Sequence, residues 1–230
     1  MMDDRQFDFI CCPSKEKPGD PLAKFMSSLA IPDGYTVGQL LPRGEFTLAQ
    51  GYNLAMSNSK ARYKIYLNQT VTILNHRFLQ DILALFQAHP NLGLLGVLGA
   101  KTLPANGNWR ESPDRYGKIV YNGNFIDYQR EIANDFEPVL AVDGMIMITQ
   151  YDLPWRQEMF ADFFLDTAQC LEFIKAGYTV GIPQQREPWC SYDNPSDSIF
   201  EYYRDREAFV GEYRSLIAAG IRADLDVARE

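Results

Sequence analysis

At 230 residues with a formal net charge of −8, the chain is long enough for one large domain with a substantial core. Hydrophobic residues make up 46% and charged ones 23%, a globular balance, and the acidic excess argues against a nucleic-acid partner, which needs a basic face. The Met-Met-Asp-Asp-Arg start lacks a signal-peptide core, no apolar run approaches transmembrane length, and Cys11, Cys12, Cys170 and Cys190 show no metal-ligand spacing. A cytoplasmic protein with reduced thiols and no transmembrane segment is therefore expected.

In chain order, residues 7–12 read as a buried strand and 13–21, with three prolines and a glycine, as a loop. A short helical stretch at 22–29 stops at Pro32-Asp-Gly34. A second strand is expected at 35–41 and a helix at 46–57, where Leu48, Tyr52, Ala55 and Met56 fall near helical spacing. Residues 63–67, rich in aromatic and β-branched side chains, read as a strand. Asn75 is placed to cap a helix running to Ala88, with a wide apolar stripe of Phe78, Leu79, Ile82, Leu83, Leu85 and Phe86. Residues 92–100 form a continuous apolar run without alternation, as a central strand covered on both faces would. Strand and helix alternate up to residue 100, which implies an α/β fold with a mostly parallel central sheet flanked by helices.

The second half reads differently. Residues 101–118 look like a long loop, and loops of that length tend to be functional. Short strands are expected at 119–121, 125–128, 139–142, 145–149 and 178–182, a helix at 166–176 ending on Gly177, a loop at 184–197, and a charged helical segment from 198. No linker divides the chain, so one domain over 1–230 is expected.

The strand at 63–67 closes on the polar tip Asn68, Gln69 and Thr70. Strand ends of this kind are where alternating α/β folds place their ligands. Several stretches then occur in a recognisable order: Ala49-Gln-Gly-Tyr-Asn-Leu-Ala55, Ala61-Arg-Tyr-Lys-Ile-Tyr-Leu67, Gly96-Val-Leu-Gly-Ala100, Val142-Asp-Gly-Met145, Pro154-Trp-Arg156, Phe160-Ala-Asp-Phe-Phe-Leu-Asp166 and Glu172-Phe-Ile-Lys-Ala-Gly-Tyr178. Together they resemble the family-2-like bacterial glycosyltransferases, in particular the subgroup related to a streptomycin-biosynthesis protein, over roughly residues 7–195.

The resemblance implies a GT-A fold, with a nucleotide-binding half at about 7–100, a smaller mixed-β acceptor half at about 101–197 and a helical segment at 198–230. It implies transfer of a sugar from a nucleotide-diphosphate donor to the hydroxyl of an unknown glycan or small-molecule acceptor, usually with inversion. That chemistry asks for a cation beside the leaving diphosphate, normally Mn or Mg held by acidic residues, and a carboxylate base beside the acceptor. Where the family commonly has His-Gln-Asp after this strand, the chain has Asn68-Gln69-Thr70. Where the family has a histidine after Trp-Cys, Tyr192 stands in Trp189-Cys-Ser-Tyr-Asp193. The metal motif is thus degenerate, with Asp193 left as a weak ligand.

The family's base position falls on Asp166, and Asp143-Gly144 supplies a second carboxylate near donor or acceptor. Asp166 at a helix start also fits a plain N-cap, and Asp143-Gly144 also fits a bulge or tight turn. Lys101, Trp109, Trp155, Arg156 and Asp162 complete the candidate donor and substrate contacts, against the ordinary roles of solvated lysine and loop-anchoring tryptophan. His76 and His89 have no partner at ligand spacing. Two other functions remain open. A non-catalytic module of the same fold would bind a nucleotide, glycan or protein. A nucleotidyltransferase would share the α/β layout, but Pro13-Ser-Lys-Glu-Lys-Pro-Gly19 offers two lysines without a Gly-x-Gly run.

Overall fold

The computed structural model describes residues 2–13, 21–128, 130–158, 163–193 and 199–218. The first strand, β1 (Asp3–Ile10), starts four residues earlier than its composition suggests. Its last four residues are buried and only these carry the apolar signal; the acidic start extends the strand through backbone pairing alone. A one-turn helix α1 (Ala23–Met26), strand β2 (Thr36–Leu40), helix α2 (Leu48–Asn58) and strand β3 (Ala61–Leu67) follow. Thr47 and Gln50 close a capping box on α2, each side chain accepting from the other's backbone N–H. Such a cap stabilises a helix by about 1 kcal/mol.

After the polar tip, the chain forms a short strand β4 (Val71–Ile73), absent from the sequence reading because three residues give no period. Helix α3 (Phe78–Ala88) begins at Arg77 rather than Asn75, whose carboxamide oxygen instead accepts from Arg77 N–H at 2.9 Å. Phe78, Leu79, Ile82, Leu83 and Phe86 are buried against the sheet, each contributing roughly 1.5–3 kcal/mol.

The apolar run at 92–100 is two strands rather than one: β5 (Leu92–Leu95) and β6 (Leu98–Ala100), in different sheets. The break falls at Gly96, where a Cβ would lie 2.4 Å from Val142 Cβ, so only glycine lets the crossing chain pass. The expected loop at 101–118 contains a 3-10 turn at Trp109–Glu111 and the start of β7 (Arg115–Tyr121). Then come β8 (Asn124–Asp127), β9 (Phe136–Pro138), β10 (Ala141–Val142), β11 (Ile146–Thr149), helix α4 (Leu165–Lys175), β12 (Thr179–Pro183), β13 (Cys190–Tyr192) and helix α5 (Ile199–Ala218). β13 lies inside the expected 184–197 loop and is recruited by pairing with β4 and β7.

Seven strands form the main sheet in the order β2-β1-β3-β11-β5-β12-β9, and β10-β6-β7-β13-β4 form a second, with β8 on β7. The fold is α/β, but the mostly parallel expectation holds only in part. β1 pairs in parallel with β2 and β3, and β12 with β5. β11 runs antiparallel between β3 and β5, and β9 antiparallel to β12. Strand direction is invisible in short apolar segments, because burial on both faces erases the alternation that would mark it. Phe7 stacks on Tyr63 with ring centroids 4.8 Å apart, and Tyr63 on Phe86 at 5.9 Å, joining sheet to α3. Among the described residues no helix is long and apolar enough to cross a membrane.

Candidate active site

β11 positions the site. It runs opposite to β3 with Ile146 opposite Leu67, so the turn before it lies beside the end of β3. Asn68 N–H donates to Met145 carbonyl at 2.8 Å across this junction. Two cavities meet there. The larger, about 550 Å³, opens at the carboxyl ends of β1, β2 and β3 and is lined by Cys12, Phe46, Thr47, Gln69 and neighbours. The smaller, about 280 Å³, is lined by Arg110, Asp143, Met145, Trp155, Asp166 and Tyr192, among others. Leu48, Tyr52, Asn68 and Gly144 line both, so they form the partition.

Asp166 is the second residue of α4, not its cap. The residue before the helix is Phe164, held at φ 60° with no capping side chain, and Asp166 turns its carboxylate toward the cavity. Gly144 N–H donates to Asp166 Oδ2 at 2.8 Å and Thr167 N–H to Oδ1 at 2.7 Å. Protein surrounds the side chain except where the cavity reaches it. Burial, and then the nearby Asp143 charge, push the Asp166 carboxyl above its ordinary range, while Arg110 and the two N–H donors pull it back. Such a carboxylate has more proton affinity than a solvated one, as a base requires.

Asp143 is almost fully buried. Arg110 Nη2 donates to its Oδ2 at 2.8 Å, and Met145 N–H to its Oδ1 at 3.0 Å. The Asp143-Gly144 turn thus sets Asp143 and Asp166 along the same cavity.

The tip is arranged otherwise than a metal site. Asn68 Oδ1 accepts from both Thr70 N–H and Thr70 Oγ1–H at 3.0 Å, which folds 68–70 onto itself. Asn68 and Gln69 line the larger cavity; Thr70 lines neither. Tyr192 lines the smaller cavity and packs its ring 5.8 Å from that of Tyr121. Asp193 is exposed and lines neither cavity. Among the described residues no three His, Cys, Asp or Glu side chains gather to hold a metal. A divalent cation beside a diphosphate is commonly held by one or two carboxylates together with the substrate phosphates, and the tip, Asn68-Gln69-Thr70, offers no carboxylate.

Of the remaining candidates, Trp155 lines the smaller cavity, 2% exposed, with its ring 4.8 Å from Tyr52 and 5.0 Å from Tyr66. Asn53 fixes it by accepting from Trp155 N–H and donating to its carbonyl, both at 2.9 Å. Arg156 points away, into Glu158, Glu172 and Glu212. Lys101 pairs with Glu137 at 2.9 Å and lines neither cavity. Trp109 is buried in its 3-10 turn and lines neither cavity. Asp162 and the lysines of 14–20 lie outside the described residues.

Sequence reasoning missed Arg110, Tyr52, Leu48, Phe46 and Cys12 as site residues. Arg110 carried one signal, its place next to Trp109 in a loop long enough to be functional. Cys12 carried none; burial pushes its thiol up to about 12, so it serves as a neutral wall.

A model of the Glycosyltransferase like family matches residues 8–213, nearly the whole chain, and the chain belongs to that family. No curated protein sequence matches at a significant level. The fold resembles Staphylococcus aureus TarS residues 1–349 solved with UDP-GlcNAc, at 12% identity, TM-score 0.57, covering 97% of this chain and 68% of that one. The same TarS fragment solved with UDP gives 13% identity, TM-score 0.54 and the same coverage. The mannosyltransferase PcManGT of Pyrobaculum calidifontis, solved with GDP-Man and Mn2+, matches at 10% identity and TM-score 0.55, covering 91% of this chain and 64% of that one. At these identities the likeness establishes the fold, GT-A.

Proposed function

We propose that this protein transfers a sugar from a nucleoside-diphosphate donor to an acceptor hydroxyl with inversion, and that Asp166 is the general base. The observation that carries the reading is a cavity-facing carboxylate, oriented by Gly144 and Thr167 N–H groups, one partition away from the larger cavity at the strand ends. Family membership and neighbours solved with UDP, UDP-GlcNAc and GDP-Man support a nucleotide-sugar donor. The order of sequence motifs supports the streptomycin-biosynthesis-related subgroup.

In this reading the nucleotide occupies the larger cavity and the sugar carbon faces the smaller one. The acceptor oxygen attacks that carbon opposite the diphosphate. The new carbon–oxygen bond forms as the bond to the leaving phosphate oxygen breaks, the electron pair leaves with the diphosphate, and Asp166 takes the acceptor's proton. Holding both reactants in line supplies much of the acceleration, and Tyr52, Trp155 and the Gly144 turn shape that alignment. No step is routed through a metal, since the tip at 68–70 offers no carboxylate to hold one.

The misfit at the tip favours a second reading, a module that binds a nucleotide or glycan without turnover. One experiment separates them. Incubate the protein with UDP-GlcNAc, UDP-glucose and GDP-mannose, with and without manganese, and follow nucleotide release alongside calorimetry with UDP and GDP. Nucleotide release that Asp166→Asn abolishes, with water standing in for the acceptor, supports the catalytic reading with Asp166 as base. Binding with no turnover, unaltered in Asp166→Asn, refutes it.

A further inference from the structure

The smaller cavity brings two carboxylates together across a single glycine, yet the proposed reaction needs only one base. We propose that Arg110 is a positioning residue of this site: it engages Asp143 in an ion pair, so that the acceptor's proton goes to Asp166. The inference rests on the reading of Asp166 as base and adds what selects it.

The geometry separates the two acids by the nature of their partners. Asp143 Oδ2 receives the Arg110 guanidinium at 2.8 Å, whereas both Asp166 oxygens receive neutral backbone N–H groups. Asp143 thus has a cation in direct contact, whereas Asp166, among the described residues, has none. Two carboxylates this close, both uncompensated, would favour a shared proton and cost the site its base.

Arg110 is 58% exposed at its side chain but firmly mounted. Trp109 beside it is buried, and the guanidinium carbon lies 4.9 Å from the Trp109 ring centroid. Asn108 Oδ1 accepts from Arg110 N–H at 3.2 Å, and Arg115 Nη1 donates to the Arg110 carbonyl at 2.9 Å. Asn106 and Asn108 donate to Glu111 at 2.8 and 2.9 Å, which locks the turn. A cation needed only for solubility would not require this bracing.

Among the described residues, the titratable and charged groups facing Asp166 are few. Asp143 lies across Gly144, and Arg110 reaches in from the 3-10 turn. Cys170 follows one helical turn later with a thiol that burial keeps protonated. The phenols of Tyr52 and Tyr192 line the same cavity. Arg110 is the one cation among the described lining residues, so its removal leaves the Asp143 charge uncompensated beside Asp166.

The test is a carboxyl NMR titration of protein labelled with 13C at the aspartate side chains, with the Asp166 resonance assigned by its loss in Asp166→Asn. In Arg110→Gln the Asp166 midpoint is expected to rise by about one pH unit, and in Arg110→Lys to return most of the way. Asp143→Asn, a near-isosteric change, is expected to lower it. Where turnover is measured, the low-pH limb of kcat/KM shifts with the midpoint while the donor KM stays within about twofold. An unmoved midpoint in folded Arg110→Gln, or a rise that lysine does not reverse, overturns the proposal. Absence of turnover with every donor refutes the transferase reading instead, and the titration still decides whether Arg110 sets the charge of Asp166.

Discussion

Gly144→Ala probes the placement of Asp166 without touching its chemistry. The backbone at Gly144 is not left-handed, so alanine meets no conformational barrier there. The new methyl would instead lie 2.9 Å from Asp166 Cβ, 3.3 Å from Cγ and 3.2 Å from Oδ2. Ordinary carbon contact begins near 3.5 Å, so the turn and the first turn of α4 must part by at least about half an ångström. The 2.8 Å hydrogen bond from Gly144 N–H to Oδ2 stretches with them. Misplacing a catalytic group by about 1 Å costs on the order of 100-fold in rate, so half of that predicts a loss of about tenfold. Overpacking costs about 1–3 kcal/mol, and the cavity beside Asp166 gives the crowded groups somewhere to move, which puts the variant near the lower end. Steady-state nucleotide release and urea denaturation measure the two effects. Gly177→Ala is the control: at φ +87° with nothing within 4 Å, it brings strain without crowding the site, costing about 1–2 kcal/mol and leaving the rate unchanged. If Gly144→Ala turns over at the wild-type rate, the position of Asp166 does not govern the reaction and the assignment of the base falls.

Asp166→Asn should lower the rate by about 100- to 10,000-fold, the range for a lost general base. It should also stabilise the protein near neutral pH. The native carboxyl keeps its proton above the ordinary value of 3.8, so the folded state binds more protons in that window and wild-type stability falls as pH rises through it, by about 1.4 kcal/mol for each pH unit the window spans. The advantage of asparagine should vanish in acid; an advantage that persists there would contradict the burial argument. Thr70→Asp places a carboxylate beside Asn68, and manganese should then tighten UDP or GDP binding in calorimetry; equal binding with and without the ion would mean the tip is not beside the diphosphate. Lys64 is fully buried and pairs with Asp152 at 2.8 Å. Asp152→Ala should therefore cost about 3 kcal/mol in urea unfolding by stranding the ammonium, while a loss well below 1 kcal/mol would show that the Ala61 carbonyl suffices.

The α/β class, the α2 and α3 helices and the three strands whose ends form the larger cavity were legible because each carries a clear apolar period or a β-branched core. The segments β4, β6, β9 and β13 were not. Each has only three residues, and each exists because a neighbour supplies the hydrogen bonds. The strand reading of 92–100 failed for a related reason: apolar content reports burial, and both sheets bury it equally. At the site, Asp143, Gly144 and Asp166 emerged from the ordered motifs, and the structure hydrogen-bonds Gly144 to Asp166 and sets all three along one cavity. Arg110 stayed hidden because an exposed arginine looks the same in sequence whether it meets solvent or a carboxylate. Trp109 drew attention in its place, and the structure shows it holding its neighbour in position.

The antiparallel β11 has a consequence for how the protein moves. The acid turn and the strand tip are joined by the β3–β11 ladder, from Ile146 opposite Leu67 to Thr149 opposite Lys64, in the middle of the main sheet. Neither can swing independently, because a shift of one strand past the other must go by two residues to keep its faces, nearly 7 Å. Any opening and closing around a ligand therefore falls to elements outside that ladder, the start of α2 among them. Amide exchange should sort the site accordingly, with the β3 and β11 amides exchanging only on global unfolding and the amides at the start of α2 exchanging by local opening.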